Sequence, residues 1–285
     1  MGDWVVVSLR TSEKRATIHK VLPRKSKFSR KVAGVNTREQ IVASNIDTIF
    51  LVNALNKDFN ARRIERYLIM AWESGANPVI LLSKADLCVD LEEKLRETER
   101  VAVGVPIHII SALDERGLDE LNHYLKPGRT VALLGSSGVG KSTLLNYLAG
   151  EEVQETKEVR AYDDRGKHTS TSREMFILDN GTIMIDTPGM RELHLWGGTE
   201  GISEAFEDIE ELASQCKFSD CKHKKEPGCA INQAILDGII DEKRFKSYIT
   251  LQKEAKMFEK KQSDIIRIAG NKKSKEYINH KYRGI

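Results

Sequence analysis

Nowhere in its 285 residues does the chain hold an apolar run approaching the roughly 18 residues that a membrane-spanning helix requires. No membrane association is expected. The first segment offers only Val5-Val6-Val7 as an apolar stretch, with no basic residues before it, so no secretory signal is expected either. Internal repeats and low-complexity segments are absent. Cysteine is scarce, at four residues. With no export signal these thiols are expected to be reduced, in a cytoplasmic setting, and better suited to metal ligation than to disulfides. What is present, 40% hydrophobic and 31% charged residues, excludes a wholly disordered or collagen-like chain. At about 150 residues per domain the length suggests two domains, with room for a small extra module.

The net charge of +3 conceals an uneven distribution. Residues 10–38 hold ten Lys/Arg against Glu13 alone, and residues 253–285 hold ten against four acids, net +9 and +6. Residues 39–252 are left at −11. A single basic run usually marks a solvated face, but two basic ends around an acidic body suit a polyanionic partner.

The first forty residues read as β. Trp4–Leu9 is strand-like, and Ala16–Leu22 alternates until Pro23 stops it. From Gln40 buried strands alternate with amphipathic helices. Strands are expected at 48–52, 78–82, 107–110 and 130–134, and helices at 61–73, 91–101 and 118–125. In the helix from Ala61 to Glu73, Ile64, Leu68 and Trp72 share one face. Met175–Asp179 and Thr182–Ile185 read as a hairpin around Asn180-Gly181. This rhythm predicts an α/β fold with a largely parallel sheet. Beyond about residue 200 only helical periodicity remains, around a Cys/His cluster.

Gly135-Ser136-Ser137-Gly138-Val139-Gly140-Lys141-Ser142 fits G-x-x-x-x-G-K-[ST] in full, and Thr143 continues into an amphipathic helix. The motif lies between a buried strand and that helix, the context in which backbone amides and a helix N-terminus converge on phosphates. Lys141 would reach the β- and γ-phosphates and the Ser142 hydroxyl would ligate Mg²⁺. Asp186-Thr187-Pro188-Gly189 follows about 45 residues later. Asp186 can hold Mg²⁺ through water, and the Gly189 amide can meet a γ-phosphate.

Two further turns precede this loop. Ser83-Lys84-Ala85-Asp86 follows one expected strand and Ser111-Ala112 the next. A carboxylate at Asp86 can accept from guanine N1–H and N2–H₂ together, a donor pair adenine lacks. The Lys84 stem can pack over the base. The order is then base-reading loops, phosphate loop, D-x-x-G, and residues 40–196 hold room for one GTPase-sized domain. A circularly permuted GTPase domain explains that order better than two nucleotide sites.

Cys216-x₄-Cys221-x-His223-x₅-Cys229 gathers three thiols and an imidazole within fourteen residues. Four ligands of this kind close a tetrahedral zinc site with no open position, so a structural ion is expected rather than a catalytic one. The alternative is three reduced cysteines and a surface histidine. Cys88 stands apart and reads as a small buried side chain. Lys217, Lys222, Lys224 and Lys225 surround the cluster and suit contact with a phosphate backbone.

Taken with Gly166-Lys167-His168-Thr169-Ser170-Thr171, these motifs resemble the ribosome small-subunit-dependent GTPase A family, circularly permuted ribosome-biogenesis GTPases. The likeness covers nearly the whole chain. It implies a GTP hydrolase that binds the small ribosomal subunit and its rRNA and acts in late assembly, as a monomer using GTP with Mg²⁺ and one Zn²⁺. It implies a partial OB-type β segment over residues 1–38, a permuted GTPase domain over 39–197 and a helical zinc-binding domain over 198–285. An OB-type barrel needs about five strands, and fewer than forty residues precede the α/β region here. The family has Asn where this chain has Ser83, so a side-chain link to guanine and to the phosphate loop is expected to be lost, with guanine preference kept through Asp86. Its T-T-T loop is interrupted by Ser170, and either Thr169 or Thr171 would supply the Mg²⁺-binding hydroxyl. Where Ras-like proteins place a water-orienting Gln, this chain has Met190, which makes His168 the candidate hydrolysis residue. Two other readings stay open: a non-catalytic GTP-responsive RNA-binding scaffold, and, because of Ser83, an ATP-using P-loop enzyme.

Overall fold

The computed structural model describes residues 1–31, 39–154, 174–186 and 200–282. The chain divides into two compact units, Met1–Arg30 with Gln40–His194, and Lys31–Glu39 with Leu195–Ile285.

The first unit begins with β1 (Val5–Arg10) and β2 (Arg15–Val21), an antiparallel hairpin exposed along both strands. β3 (Lys27–Lys31) and β4 (Glu39–Ser44) form a second two-stranded sheet. Pairing therefore continues past residue 38, through a strand that its polar start, Glu39-Gln40, conceals in the sequence. The Ser44 amide donates to the Met1 carbonyl at 3.0 Å, tying the first residues to the end of β4.

The centre of the unit is a six-stranded sheet of β5 (Thr48–Ala54), β6 (Asn77–Ser83), β7 (Ile107–Ile109), β8 (Thr130–Leu134), β9 (Glu174–Ile177) and β10 (Ile183–Asp186). Its order is β7-β6-β5-β8-β10-β9, all parallel except β9, which pairs antiparallel with β10. Every residue of β5 and β8 is buried, as expected of central parallel strands covered on both faces. α1 (Ala61–Ser74) starts where the Asn60 side chain accepts the Arg63 N–H and stops at left-handed Gly75. It buries Ile64 and Leu68 fully, while Trp72 is half-buried. α2 (Leu91–Val101) and α3 (Lys141–Ala149) complete the described helices of this unit. The core joins Phe50, Val52, Val79, Leu81, Val131, Leu133, Leu144, Leu145 and Met184.

One expected helix is corrected. Residues 118–125 form only a short 3₁₀ turn over Asp119–His123. Gly117 passes so close to the Ile109 carbonyl that a side chain there would collide with it, and Pro127 follows before a second α-turn can close. A three-residue repeat still buries Leu118 and Leu121, with Leu121 N–H on Leu118 O and Tyr124 N–H on Leu121 O. Cys88 is corrected as well. It is half-buried rather than buried, in the turn before α2, with Lys94 Nζ 3.8 Å from its sulfur.

In the second unit, α4 (Glu200–Ala205), α5 (Glu207–Ser214), α6 (Ala230–Leu236) and α7 (Glu242–Tyr282) follow one another with no strand between residues 200 and 282. Ile202, Phe206, Ile209, Ile231, Tyr248 and Leu251 are buried. Arg244, itself buried, donates to Asp208 at 2.8 Å and to the Ala205 carbonyl at 3.0 Å, and lies 4.9 Å from the Phe206 ring centroid. Such a charge is tolerated in a small core because each partner is also present. Among the described residues no helix is long and apolar enough to cross a membrane.

Candidate functional site

Strand order fixes where a ligand belongs. The chain steps outward from β5 to β6 and β7, then returns to lay β8 on the other side of β5. In an open α/β sheet, ligands bind at the carboxyl ends of the strands where the order reverses in this way. Four of the motif segments lie at strand carboxyl ends: Ser83–Asp86 from the last residue of β6, Ser111-Ala112 after β7, Gly135–Ser142 after β8, and Asp186 at the end of β10.

Gly135 leaves β8 packed on the β5 backbone, where any Cβ would collide with the Val52 carbonyl. Lys141 then folds back over its own loop. Its Nζ donates to the Gly135 and Ser136 carbonyls, each at 2.8 Å. Burial pushes its pKa down, and the Asp186 carboxylate opposes that shift. A cation held over a curled loop at a helix start is arranged to meet phosphate oxygens. Ser137 and Gly138 are exposed at the crest and Val139 is buried beneath them. Ser142 and exposed Thr143 open α3.

The expected loss of a link at Ser83 is overturned for the phosphate loop. Ser83 is buried, and its Oγ donates to the Val139 carbonyl at 2.6 Å. Its hydroxyl thus fixes the phosphate loop against β6, because the two segments pass within one hydroxyl's reach. Next in sequence, Lys84 adopts a left-handed φ of 58°, a strained geometry for a non-glycine residue. It turns the chain so that Ala85 N–H meets the Ile110 carbonyl at 3.2 Å and the Asp86 side chain emerges exposed. Ser111, fully buried, donates its Oγ–H to Asp86 Oδ1 at 2.7 Å. Ala112 beside it is half-buried. The Ser83–Asp86 and Ser111-Ala112 turns are joined by this bond, and Ser83 joins them to the Gly135–Ser142 loop.

Asp186 is buried. Its Oδ2 accepts from Gln154 Nε2 at 3.0 Å, while its Oδ1 has no hydrogen-bond partner among the described residues. A buried carboxylate oxygen left this way beside Lys141 suits the magnesium that accompanies GTP, with Ser142 offering a hydroxyl from the loop. The residues present fit that ion. Thr187, Pro188, Gly189, Met190 and the loop holding His168, Thr169 and Thr171 lie outside the described residues.

Sequence reading missed a second brace. Arg63 Nη1 donates to Ser136 Oγ at 3.0 Å and to Asp58 Oδ2 at 2.6 Å, and Ser136 Oγ donates to the same Asp58 oxygen at 2.9 Å. The phosphate loop is thereby tied to the turn between β5 and α1. The partners are 73 and 78 residues apart in sequence, so no local pattern could have announced them.

In the second unit, the Cys216, Cys221, His223 and Cys229 ligand atoms lie within 4.8 Å of one another. His223 Nδ1 is 3.5 Å from both the Cys216 and Cys229 sulfurs, which are 4.0 Å apart. A tetrahedral zinc site with bonds of about 2.3 Å to sulfur and 2.0 Å to nitrogen has edges of about 3.5–3.8 Å. The donor set therefore fits one zinc ion. Burial works against the Cys216 thiolate, but the Ala230 and Ile231 amides at the start of α6 prevail and hold the thiol below its usual range. The His223 amide lowers Cys221, yet burial and the neighbouring sulfurs outweigh it and push that thiol up to about 11. Sulfurs so crowded resist ionising together, a cost that a central cation removes. Burial lowers the His223 pKa against the pull of Glu226, favouring the neutral imidazole that ligates metals. Lys217, Lys222, Lys224 and Lys225 are exposed around the cluster. Glu226 accepts the Lys222, Lys224 and Lys225 amides at 3.2, 2.7 and 3.0 Å, pinning the loop that carries His223.

The family model described as RsgA GTPase matches residues 21–196, and one described as 50S ribosome-binding GTPase matches residues 130–272. The chain is 48% identical over 268 residues to a Small ribosomal subunit biogenesis GTPase RsgA of Methanosarcina acetivorans, covering 93% of this chain and 72% of that one. It is 46% identical to a Small ribosomal subunit biogenesis GTPase RsgA 2 of Lactiplantibacillus plantarum, covering 99% and 80%. Among solved structures, YjeQ from Thermotoga maritima is similar with a TM-score of 0.64 at 29% identity, over 89% of this chain and 83% of that one. YloQ, titled a circularly permuted GTPase, is similar with a TM-score of 0.61 at 26% identity, over 90% and 80%. With Ser83–Asp86 and Ser111-Ala112 ahead of Gly135–Ser142 on one largely parallel sheet, this GTPase belongs to the RsgA GTPase family.

Proposed function

We propose that the chain hydrolyses GTP to GDP and phosphate while engaged with the small ribosomal subunit, and acts in late assembly of that particle. One observation carries the reading of the site. The Ser111–Asp86 and Ser83–Val139 hydrogen bonds link both base-side turns to the phosphate loop. The subunit enters from the printed names of the relatives, two of which are small-subunit biogenesis GTPases.

In this reading Asp86 accepts the guanine N1–H and N2–H₂, Lys84 packs over the base, and Ala85, Ser111 and Ala112 complete the base pocket. The loop from Gly135 to Gly140 cradles the phosphates with its amides. Lys141 leaves its two loop carbonyls for the β- and γ-phosphate oxygens, Thr143 supports the helix start, and Gly189 meets the γ-phosphate. Magnesium, when bound, neutralises charge developing on the transferred phosphoryl group. Ser142, Asp186 and one of Thr169 and Thr171 would hold it. His168 would orient the attacking water, a role supported by the family likeness and by Met190 standing where Ras-like proteins place a Gln. The cluster at Cys216, Cys221, His223 and Cys229 carries one structural zinc. The division into residues 1–38, 39–197 and 198–285 is retained as a functional partition: basic β segment, permuted GTPase domain, zinc-bearing helical domain. The basic ends and the lysines around the cluster would meet rRNA, and the chain would act as a cytoplasmic monomer.

Two substitutions test the residue roles. Asp86→Asn exchanges one acceptor for a donor and removes the charge. At about 1.5–3 kcal/mol for each of two charge-assisted bonds, GTP affinity should fall about 10²–10⁴-fold. A xanthine nucleotide, which offers an acceptor at that edge, should regain part of it. Displacement of a fluorescent GDP reads both, and unchanged affinity for GTP would remove Asp86 from the base pocket. His168→Ala should leave GTP affinity intact while lowering turnover by about 10²-fold or more. Equal turnover in single-turnover assays would exclude it.

The function as a whole is tested by multiple-turnover GTP hydrolysis with and without isolated small subunits. Stimulation by the subunit supports the reading. Subunit binding with no turnover would favour a GTP-responsive scaffold instead.

A further inference from the structure

Buried Asp186 receives its hydrogen bond from a residue that no motif contains. Gln154 Nε2 donates to Asp186 Oδ2 at 3.0 Å and lies 3.4 Å from Glu174 Oε2. Asp186 and Glu174 are register partners on β10 and β9. With a carboxylate on each strand facing it, the terminal amide must present its NH₂ rather than its carbonyl. Gln154 is itself held at both backbone atoms. Its N–H donates to Asn146 Oδ1 at 2.9 Å, and its carbonyl accepts from Asn146 Nδ2 at 2.7 Å. Asn146 stands four residues after Ser142 on α3, one helical turn along the same face. A continuous route of hydrogen bonds therefore runs from the phosphate-loop helix through Asn146 and Gln154 to Asp186.

We propose that Gln154, fixed by Asn146, is the positioning residue for the magnesium site of this GTPase. The inference rests on the magnesium role given to Asp186 above. A carboxylate at the end of a strand can rotate about its terminal bond. One donor on Oδ2 fixes that rotation and satisfies one oxygen, which leaves buried Oδ1 as the oxygen that serves the cation. Fixing the carboxylate also keeps it aligned with Ser142, because Asn146, which holds Gln154, and the Ser142 hydroxyl share α3. Gln154 is neutral, so it orients Asp186 without lowering the negative charge that attracts the ion. Residues that orient metal ligands in this way typically change metal affinity by about 10–100-fold when removed.

The test is binding of a fluorescent GDP to the full chain across a magnesium titration and in EDTA. Gln154→Met keeps the length of the side chain and removes its donor. It should raise the magnesium concentration for half-maximal tightening of GDP by about 10–100-fold, leave affinity in EDTA unchanged, and leave the melting temperature of the nucleotide-free protein within a few degrees. Asn146→Ala should shift the titration in the same direction. The double variant should be no worse than Gln154→Met alone, since both act on one route. Equal weakening with and without magnesium, or an unshifted titration, would overturn the proposal. Asp186→Asn separates the two levels: if it too leaves the titration unshifted, the magnesium role of Asp186 fails; if it shifts and Gln154→Met does not, only the positioning role fails.

Discussion

Lys141→Ala is expected to lower GTP turnover by at least about 10²–10³-fold, the cost of removing one preorganised charge from a developing oxyanion. The size follows from where the ammonium is held. Nζ rests 2.8 Å from two carbonyls of the loop it must serve, so it has only to exchange those bonds for phosphate oxygens at the same loop when the nucleotide arrives. Its surroundings are also dry enough to press its pKa down, which strengthens each interaction it makes there. Lys141→Arg should not restore activity, because a rigid planar fork does not replace a compact ammonium point charge. Truncation leaves those two carbonyls without their donor, so some loss of stability of about 1–3 kcal/mol accompanies the substitution. Turnover at saturating GTP, read beside a melting curve, distinguishes this from unfolding. Retention of more than a tenth of the activity would remove Lys141 from phosphate stabilisation.

Disrupting the proposed zinc site at Cys216, Cys221, His223 and Cys229 is expected to have the largest effect on stability. Cys229→Ser, or a strong chelator, should unfold much of the second unit while GDP binding by the first survives. The reason is the size of the apolar core there. Ile202, Phe206, Ile209, Ile231 and a few neighbours are a small core for residues 200–255, and structural zinc contributes about 10–16 kcal/mol in comparable small sites. Cys229 also caps α6, with the Asn232 amide donating to its sulfur at 3.4 Å, so its replacement loosens a helix start as well as a ligand set. Helical content by circular dichroism and one equivalent of released zinc by a colorimetric chelator are the readouts. A second unit that keeps its helicity without metal would show that its apolar packing suffices.

The parts of the fold visible in the sequence were those governed by local period and spacing. Apolar runs such as Val131–Leu134 announced central strands, and the strand–glycine turn–helix order around Lys141 announced a tight loop opening onto a helix. The Cys/His spacing likewise announced a donor set that comes together within 4.8 Å. What stayed hidden depends on chain segments that meet only in the fold. The Ser83 hydroxyl finds Val139 across 56 residues, and Gln154 reaches Asp186 across 32. Residues 118–125 carried the periodicity of a helix, but Gly117 and Pro127 confine them to a 3₁₀ turn, a constraint set by the sheet edge at Ile109. Serine in place of the family's asparagine looked like a lost contact because a sequence gives residue type without reach.

The central claim is that the base-side turns before residue 112 and the phosphate loop after residue 134 are halves of one guanine-nucleotide site. Titration calorimetry of GDP into the purified chain with magnesium, followed by competition with ADP, tests it most directly. One GDP should bind per chain, weakened by either Asp86→Ala or Lys141→Ala, with no displacement by a large excess of ADP. Two binding events, or displacement of GDP by ADP at comparable concentration, would contradict it.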